Sequence, residues 1–274
     1  MTKRALRKIG VYALAILLAL IALMPIVYVV CSSLKPGAEL FRYPPTLLPE
    51  QFTLENYRDV FERADFLLYF KNTTIVAVLS TVLTVIINTM AGYAFAKYRF
   101  KGGNAIFMFF ICTMMLPLEV LMIPIFQMVK RLGMYNNYLG MIIPPAATPM
   151  GVFLVRQYFY SVPNELNEAA RIDGASETRT FLHLMLPIAR PVMSVLAIFS
   201  FMWRWNDYMW PLLVVRDNDL YTLQLALANF NGEYSVDWNS LLAMSVVAMV
   251  PVLIVFLIFQ KQFIRGMVTS GMKE

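Results

Sequence analysis

The side chains able to do chemistry are few, and most stand where chemistry is hard. His183 is the sole histidine, so neither a histidine-based metal cluster nor a Ser-His-Asp set can be assembled. Cys31 and Cys112 fall inside or at the end of apolar runs, lack metal-ligand spacing, and read as small buried residues. No G-x-x-x-x-G-K-[S/T] run occurs, nor any Gly-Lys pair, so ATP hydrolysis is not expected on this chain and no cofactor is expected in it. What remains are polar side chains inside apolar runs: Asn88, Glu119, and the stretch from Trp203 to Trp210 that holds Arg204, Asn206, Asp207 and Tyr208. A charge at the centre of a membrane helix costs about 2.5–3.5 kcal/mol on insertion scales, so such groups should face a helix bundle, a partner or water. Arg204 and Asp207, three residues apart, share a helix face and could pair. Amides and carboxylates beside tryptophan and tyrosine suit a sugar, whose hydroxyls take hydrogen bonds while its apolar ring face lies on an aromatic ring. Asn88, Glu119, Trp203, Asn206 and Asp207 are therefore candidates for a substrate path. A second reading stays open on the same residues: aromatic rings form an interfacial belt, and polar groups stitch helices together.

The elements that must position these residues are membrane helices. The 274 residues are 59% hydrophobic and only 15% charged, with mean hydropathy +0.62, too little polar surface for a water-soluble globule. The apolar residues come in long unbroken runs rather than in alternation or heptads. Six spans are expected, at about 9–31, 72–96, 105–129, 138–155, 188–215 and 241–259, giving an all-α polytopic membrane protein with a single transmembrane domain over 1–274. The first run is too long for a signal-peptide core and reads as a retained anchor. With the N-terminus in the cytoplasm, the inside segments carry fourteen basic residues and the outside segments eight. This places both termini in the cytoplasm of a bacterial inner-membrane protein. The net charge of +6 thus reads as topology, and no nucleic-acid partner is expected, since basic residues do not cluster on a soluble domain. Eight prolines within the runs predict kinked helices, which suit a pathway but are also common in membrane helices generally.

One inside loop, 156–187, stands out. Its residues Asn164 to Ala175 read as a helix: Pro163 suits a first helical position, and Gly174 suits the left-handed residue that ends it. Ser176 suits the cap of a second helix that runs toward Leu184-Met185-Leu186-Pro187. A polar helix this short is marginal alone. Ala169 and Ala170 let another backbone approach, and Glu168 and Asp173 offer charge to a basic partner, so a cytoplasmic docking knob is expected. A helix lying on the bilayer surface is the alternative, but it would prefer Lys and Arg on its polar face.

This segment resembles the loop shared by permeases of ATP-binding-cassette importers: E-A-A, three residues, Gly, nine residues, I-x-L-P, here with Leu184 in place of isoleucine. The six-span plan, Trp205-Asn206-Asp207 with Trp210-Pro211, and the ending Gly266 to Lys273 are similar to the smaller permease of maltose-type sugar-uptake systems. The resemblance implies the type I importer permease fold and import of a sugar or sugar derivative. It implies a second permease, two ATPase subunits holding ATP and Mg, and an extracytoplasmic solute-binding protein. It further implies that Glu168, Ala169, Ala170, Asp173 and Gly174 couple the chain to the ATPase, that the loop near Asn229 to Asp237 touches the binding protein, and that the C-terminal tail lies near the ATPase. The rivals are an ion-coupled secondary transporter, with Glu119 and Asp207 as ion sites, and a membrane-embedded hydrolase or transferase.

Overall fold

The computed structural model describes residues 3–63, 65–229 and 237–271. Among them the only regular structure is helical. In chain order the helices are α1 (Lys3–Ser33), α2 (Gly37–Leu40), α3 (Glu55–Arg63), α4 (Phe66–Lys97) and α5 (Gly103–Cys112). Then come α6 (Leu118–Arg131), α7 (Tyr138–Ile142), α8 (Pro149–Tyr160), α9 (Glu165–Ile172) and α10 (Glu177–Thr180). The chain ends with α11 (Leu186–Ile188), α12 (Arg190–Trp205), α13 (Met209–Val214), α14 (Leu223–Asn229) and α15 (Trp238–Gly271). It divides into two compact units, Met1–Leu67 with Leu227–Val250, and Leu68–Ala226 with Pro251–Glu274.

In the first unit, α1 presents an apolar surface on every side; its 8–33 stretch is a candidate span with none of its most apolar window buried. The segment after it is held by polar contacts. Asn56 donates to the Ser33 and Lys35 carbonyls, both at 2.8 Å, and accepts from Asn239 at 2.9 Å. Glu39 accepts from the Glu50 and Gln51 N–H groups and from the Thr46 hydroxyl. Asp237 caps α15 by accepting from the Ser240 N–H and hydroxyl.

The second unit is built on α4, whose 32 residues exceed the bilayer requirement. Its buried residues recur every four positions: Asn72, Val76, Ser80, Thr84 and Asn88, with the close-packed Gly92 next. Its exposed face carries Val78, Leu79, Val82, Ile86 and Met90. Small and polar side chains line the contacts while large apolar ones face out, the arrangement expected where lipid rather than water surrounds the helix. A Cβ on Gly92 would come within 2.7 Å of the Val155 side chain and 2.9 Å of the Arg156 backbone nitrogen, so α4 and α8 touch backbone to backbone here. Two buried clusters form at opposite ends of α4. One gathers Val76, Met122, Met141, Trp210 and Val214; the other gathers Tyr93, Val155, Phe159, Met185 and Leu196.

Three helices are long and apolar enough to cross a membrane alone, within 8–33, 66–97 and 238–260. These match the first, second and sixth expected spans. The others are not straight helices. The 105–129 run breaks at Pro117, between α5 and α6, with a bend of 112°. The α12 run meets the preceding helical segment at 74°, next to Ala189, and breaks again at Asn206–Tyr208 before α13. The 138–155 run is two short helices, α7 and α8, parted at 143–148. Pro144 and Pro145 lack the N–H that a continuous helix needs there. The expected count of six spans is consistent with these helices, with each bent pair counting as one crossing when its two arms act together.

Candidate functional site

The loop after α8 folds by local rules. Asn164 already has helical backbone angles, and its carbonyl accepts from the Asn167 and Glu168 N–H groups. The first regular helical residue is Glu165, so Pro163 stands two positions before the helix rather than at its first residue. At the other end Gly174 takes a left-handed φ of +76°. Its N–H donates to the Arg171 carbonyl at 3.0 Å, and the Ala175 N–H donates to the Ala170 carbonyl at 2.9 Å. These two bonds are the paired closure of a Schellman end. Ser176 then caps α10 by accepting from the Arg179 N–H at 3.3 Å. A π turn, Phe181–Met185, leads to α11 and α12.

The loop is fastened to the end of α4. Lys97 donates to the Val162 carbonyl and, at 2.8 Å, to the Asn164 side-chain oxygen. The Tyr93 hydroxyl donates to Asn167 at 3.4 Å. Tyr98 donates to one oxygen of Glu177 at 2.5 Å, and Arg171 donates to the other at 2.8 Å. Burial, and then the bond to Glu177, push the Tyr98 phenol well above its ordinary pKa, so it stays a neutral donor. The Glu177 carboxylate likewise raises Arg171. Tyr93, Lys97 and Tyr98 were not singled out from sequence for this role; their place at the end of an apolar run was the only local signal.

The structure brings Glu168, Ala169, Asp173 and Gly174 together on the exposed surface of α9 and its terminal turn, with Ala170 half-buried beneath. Ile172 stands beside them, 87% exposed. An isoleucine at the tip of a polar helix is free to enter an apolar recess on another protein, with carboxylates around it.

The substrate-path candidates differ in exposure and in partners. Asn88 is fully buried, and its amide is occupied. It donates to the Thr84 and Ala146 carbonyls at 2.7 and 3.1 Å and accepts from the Thr148 N–H at 3.0 Å. Asn88 thereby satisfies the backbone where α7 and α8 part, as a break inside a membrane requires. Glu119 is exposed on the first turn of α6, directly after the break at Pro117, where the helix dipole favours a carboxylate. Arg204 and Asp207 do pair, at 3.3 Å with side chains 12% and 13% exposed. Asp207 also accepts from the Trp210 N–H, and Arg204 reaches toward the Pro145 carbonyl at 3.5 Å. Asn206 is exposed and its amide returns to the Met202 carbonyl. Trp203 is 64% exposed, whereas Trp205 and Trp210 are core residues. Asn72 and Asn136, not singled out from sequence, organise the other end: Asn72 donates to the Asp219 and Tyr221 carbonyls, and Asn136 accepts from the Arg216 and Asp217 N–H groups. The loop expected to touch a binding protein lies outside the described residues from 230 to 236, as do the last residues of the tail, 272–274.

Residues 88–269 match the family described as "Binding-protein-dependent transport system inner membrane component". An arabinooligosaccharides transport system permease protein of Halalkalibacterium halodurans is 38% identical over 259 residues, 93% of each chain. An sn-glycerol-3-phosphate transport system permease protein of Pectobacterium atrosepticum is 34% identical, covering 92% of each. A lactose transport system permease protein of Rhizobium radiobacter is 30% identical, covering 98% of this chain and 97% of its own. Among solved structures, a chain of a bacterial ABC transporter involved in import of the acidic polysaccharide alginate superposes with TM-score 0.84 at 27% identity, over 95% of this chain and 98% of that one.

Proposed function

We propose that this chain, which belongs to the family of binding-protein-dependent transport system inner membrane components, carries a sugar or sugar derivative into the cytoplasm and takes its driving force from a separate ATPase. The relatives named for arabinooligosaccharide, lactose and glycerol-phosphate transport support that substrate class. The observation that carries the coupling reading is the knob itself: α9 and the Gly174 turn expose Glu168, Ala169, Ile172 and Asp173 while Tyr93, Lys97 and Tyr98 tie the same loop to α4. A load applied to the knob is passed to a membrane helix by direct hydrogen bonds. A floppy loop would absorb it.

In this reading the chain crosses the membrane six times, with α7 and α8 together making the fourth crossing and both termini in the cytoplasm. A second permease completes the path, two ATPase subunits receive the knobs, and an external solute-binding protein delivers the cargo. ATP closure moves the knob, and the bent helices around α4 rearrange between outward and inward access. The ion-coupled reading has weaker support, because Asp207 is committed to Arg204 and to a backbone N–H, and Glu119 begins a helix. The test is purification of the tagged chain from native membranes in mild detergent. A second permease and a Walker-motif ATPase should come down with it, and an Ala169→Trp variant should insert normally but lose the ATPase. Recovery of the chain without any ATPase overturns the proposal.

A further inference from the structure

Beside the loop, but separate from its exposed tip, lies a cleft of about 920 Å³, within the size range of small-ligand sites. Lys97, Arg99, Phe100 and Asn104 line one side; Tyr160 and Glu165 line the other. Its lining carries two basic residues, Lys97 and Arg99, and one acidic residue, Glu165; Lys101 stands in the chain between the lining residues Phe100 and Gly102, and Arg156 bonds to two others, Phe95 and Tyr160. Lys97 is engaged with Val162 and Asn164. The Arg156 guanidinium stacks against Phe107, 3.8 Å from its ring centre, and donates to the Phe95 carbonyl. Arg99 and Lys101 are exposed and have no partner among the described residues. Their charge is therefore unspent, with Arg99 on the wall of the cleft and Lys101 between its lining residues Phe100 and Gly102, where a membrane-spanning helix ends.

The apolar surroundings narrow the choice of ligand. Phe100, at the cleft wall, is 45% exposed, and along α5 Ile106 and Phe109 follow Gly103 at three-residue steps, 54% and 77% exposed. One face of α5 thus runs from a basic cleft into an apolar strip. A ligand that matches both has an anionic head and hydrocarbon tails. We propose that this cleft binds a phosphate-bearing anion, specifically the headgroup of an anionic phospholipid, whose chains lie along α5. Basic recesses at the ends of membrane helices are suited to such headgroups. The site needs only that this end of α4 lie at a membrane surface, so it stands or falls independently of ATPase coupling.

The experiment is native mass spectrometry of the purified full chain in mild detergent, with phosphatidylglycerol and phosphatidylcholine supplied in equal amounts. Phosphatidylglycerol should be retained in preference. The Arg99→Gln/Lys101→Gln double variant should bind it more weakly, roughly five-fold per charge removed, with an unchanged melting temperature. The Lys130→Gln/Arg131→Gln variant, at the far end of α6, should keep full retention. Millimolar inorganic phosphate should leave the lipid in place; displacement would show a site for soluble phosphate and overturn the lipid assignment. Equal retention of the two lipids, or equal losses in the two double variants, would overturn it as well.

Discussion

Gly174 is the residue at which local rules meet the proposed coupling function. Its φ of +76° is forced by the helix end, yet a Cβ placed there would meet nothing within 4 Å. Substitution is therefore penalised by backbone strain alone, about 1–2 kcal/mol for alanine. Gly174→Ala should insert and express normally while substrate-stimulated ATP hydrolysis by the assembled complex falls several-fold; Gly174→Asn, which tolerates the left-handed region, should recover most of it. Equal activity of all three forms would remove the turn from the coupling path. This turn and the Ser176 cap were legible in the sequence because each is closed by residues three to five positions apart. The ties to Tyr93, Lys97 and Tyr98 were not, since they join residues 65 to 79 positions apart. Glu39 offers a second residue-level prediction. The Glu50 N–H, with help from the Gln51 N–H, the Thr46 hydroxyl and the Lys35 charge, holds its carboxyl below the ordinary value of 4.5, against the opposing effect of burial. A carboxyl with a lowered folded pKa contributes its stability above the unfolded pKa and loses it as pH falls through the folded one. Exchange protection of the Glu50 and Gln51 amides should hold above about pH 4.5 and decline below it, and Glu39→Gln should abolish that transition. An unchanged profile in the variant would show that Glu39 is not the titrating group.

At the scale of elements, composition announces membrane helices but not where they break. Pro117, Pro144 and Pro145 were visible as kink sites; what decides between a kink and a full break is whether a distant side chain can satisfy the freed backbone. Asn88 does this for the 143–148 gap from a position on α4 some sixty residues away, which no periodicity reports. Asn88→Leu should leave the Ala146 carbonyl and the Thr148 N–H without that partner, at about 1–3 kcal/mol each. The purified chain should then melt at lower temperature in detergent, and an unaltered melt would mean that the gap finds other partners. Arg204 and Asp207 play a comparable part between α12 and α13, and here the spacing of three residues did foretell the pair. Breaking a buried pair by one substitution costs about 3–5 kcal/mol because a charge is stranded. Asp207→Asn alone should therefore destabilise more than the Arg204→Gln/Asp207→Asn double variant; the reverse order would show that the pair contributes little. The aromatic cluster around it was legible as a group but not in its division. Trp205 and Trp210 entered the core because they pack against Phe70 and reach the Gly140 carbonyl, while Trp203 turned outward.

For the whole molecule the decisive quantity is the parity of crossings. The clusters at Val76 and Tyr93 lie about 25 Å apart along α4 at 1.5 Å per residue, close to the roughly 30 Å of a hydrocarbon core, so the two ends of α4 are set for opposite membrane surfaces. Between the segment that follows α1 and the α9 turn the chain then has α4, the bent pair α5 and α6, and the broken pair α7 and α8. At twelve residues α8 is only about 18 Å long, too short to cross alone. If α7 and α8 together make a crossing, the count is three and Tyr43 and Ile172 face opposite sides; if they only dip in and return, the count is two and both face the same side. These residues are 92% and 87% exposed, so each will react once replaced by cysteine in a chain whose Cys31 and Cys112 have been changed to serine. A membrane-impermeant maleimide should label Tyr43→Cys in intact cells with a permeabilised outer layer, and Ile172→Cys only after the inner membrane is opened. Labelling of both from one side would make the Asn88-stitched segment a re-entrant loop, leaving five crossings and the termini on opposite faces. The basic residues argue against that outcome: with six crossings they concentrate on the cytoplasmic side, as short loops require. With five, Lys261 and Arg265 would lie outside.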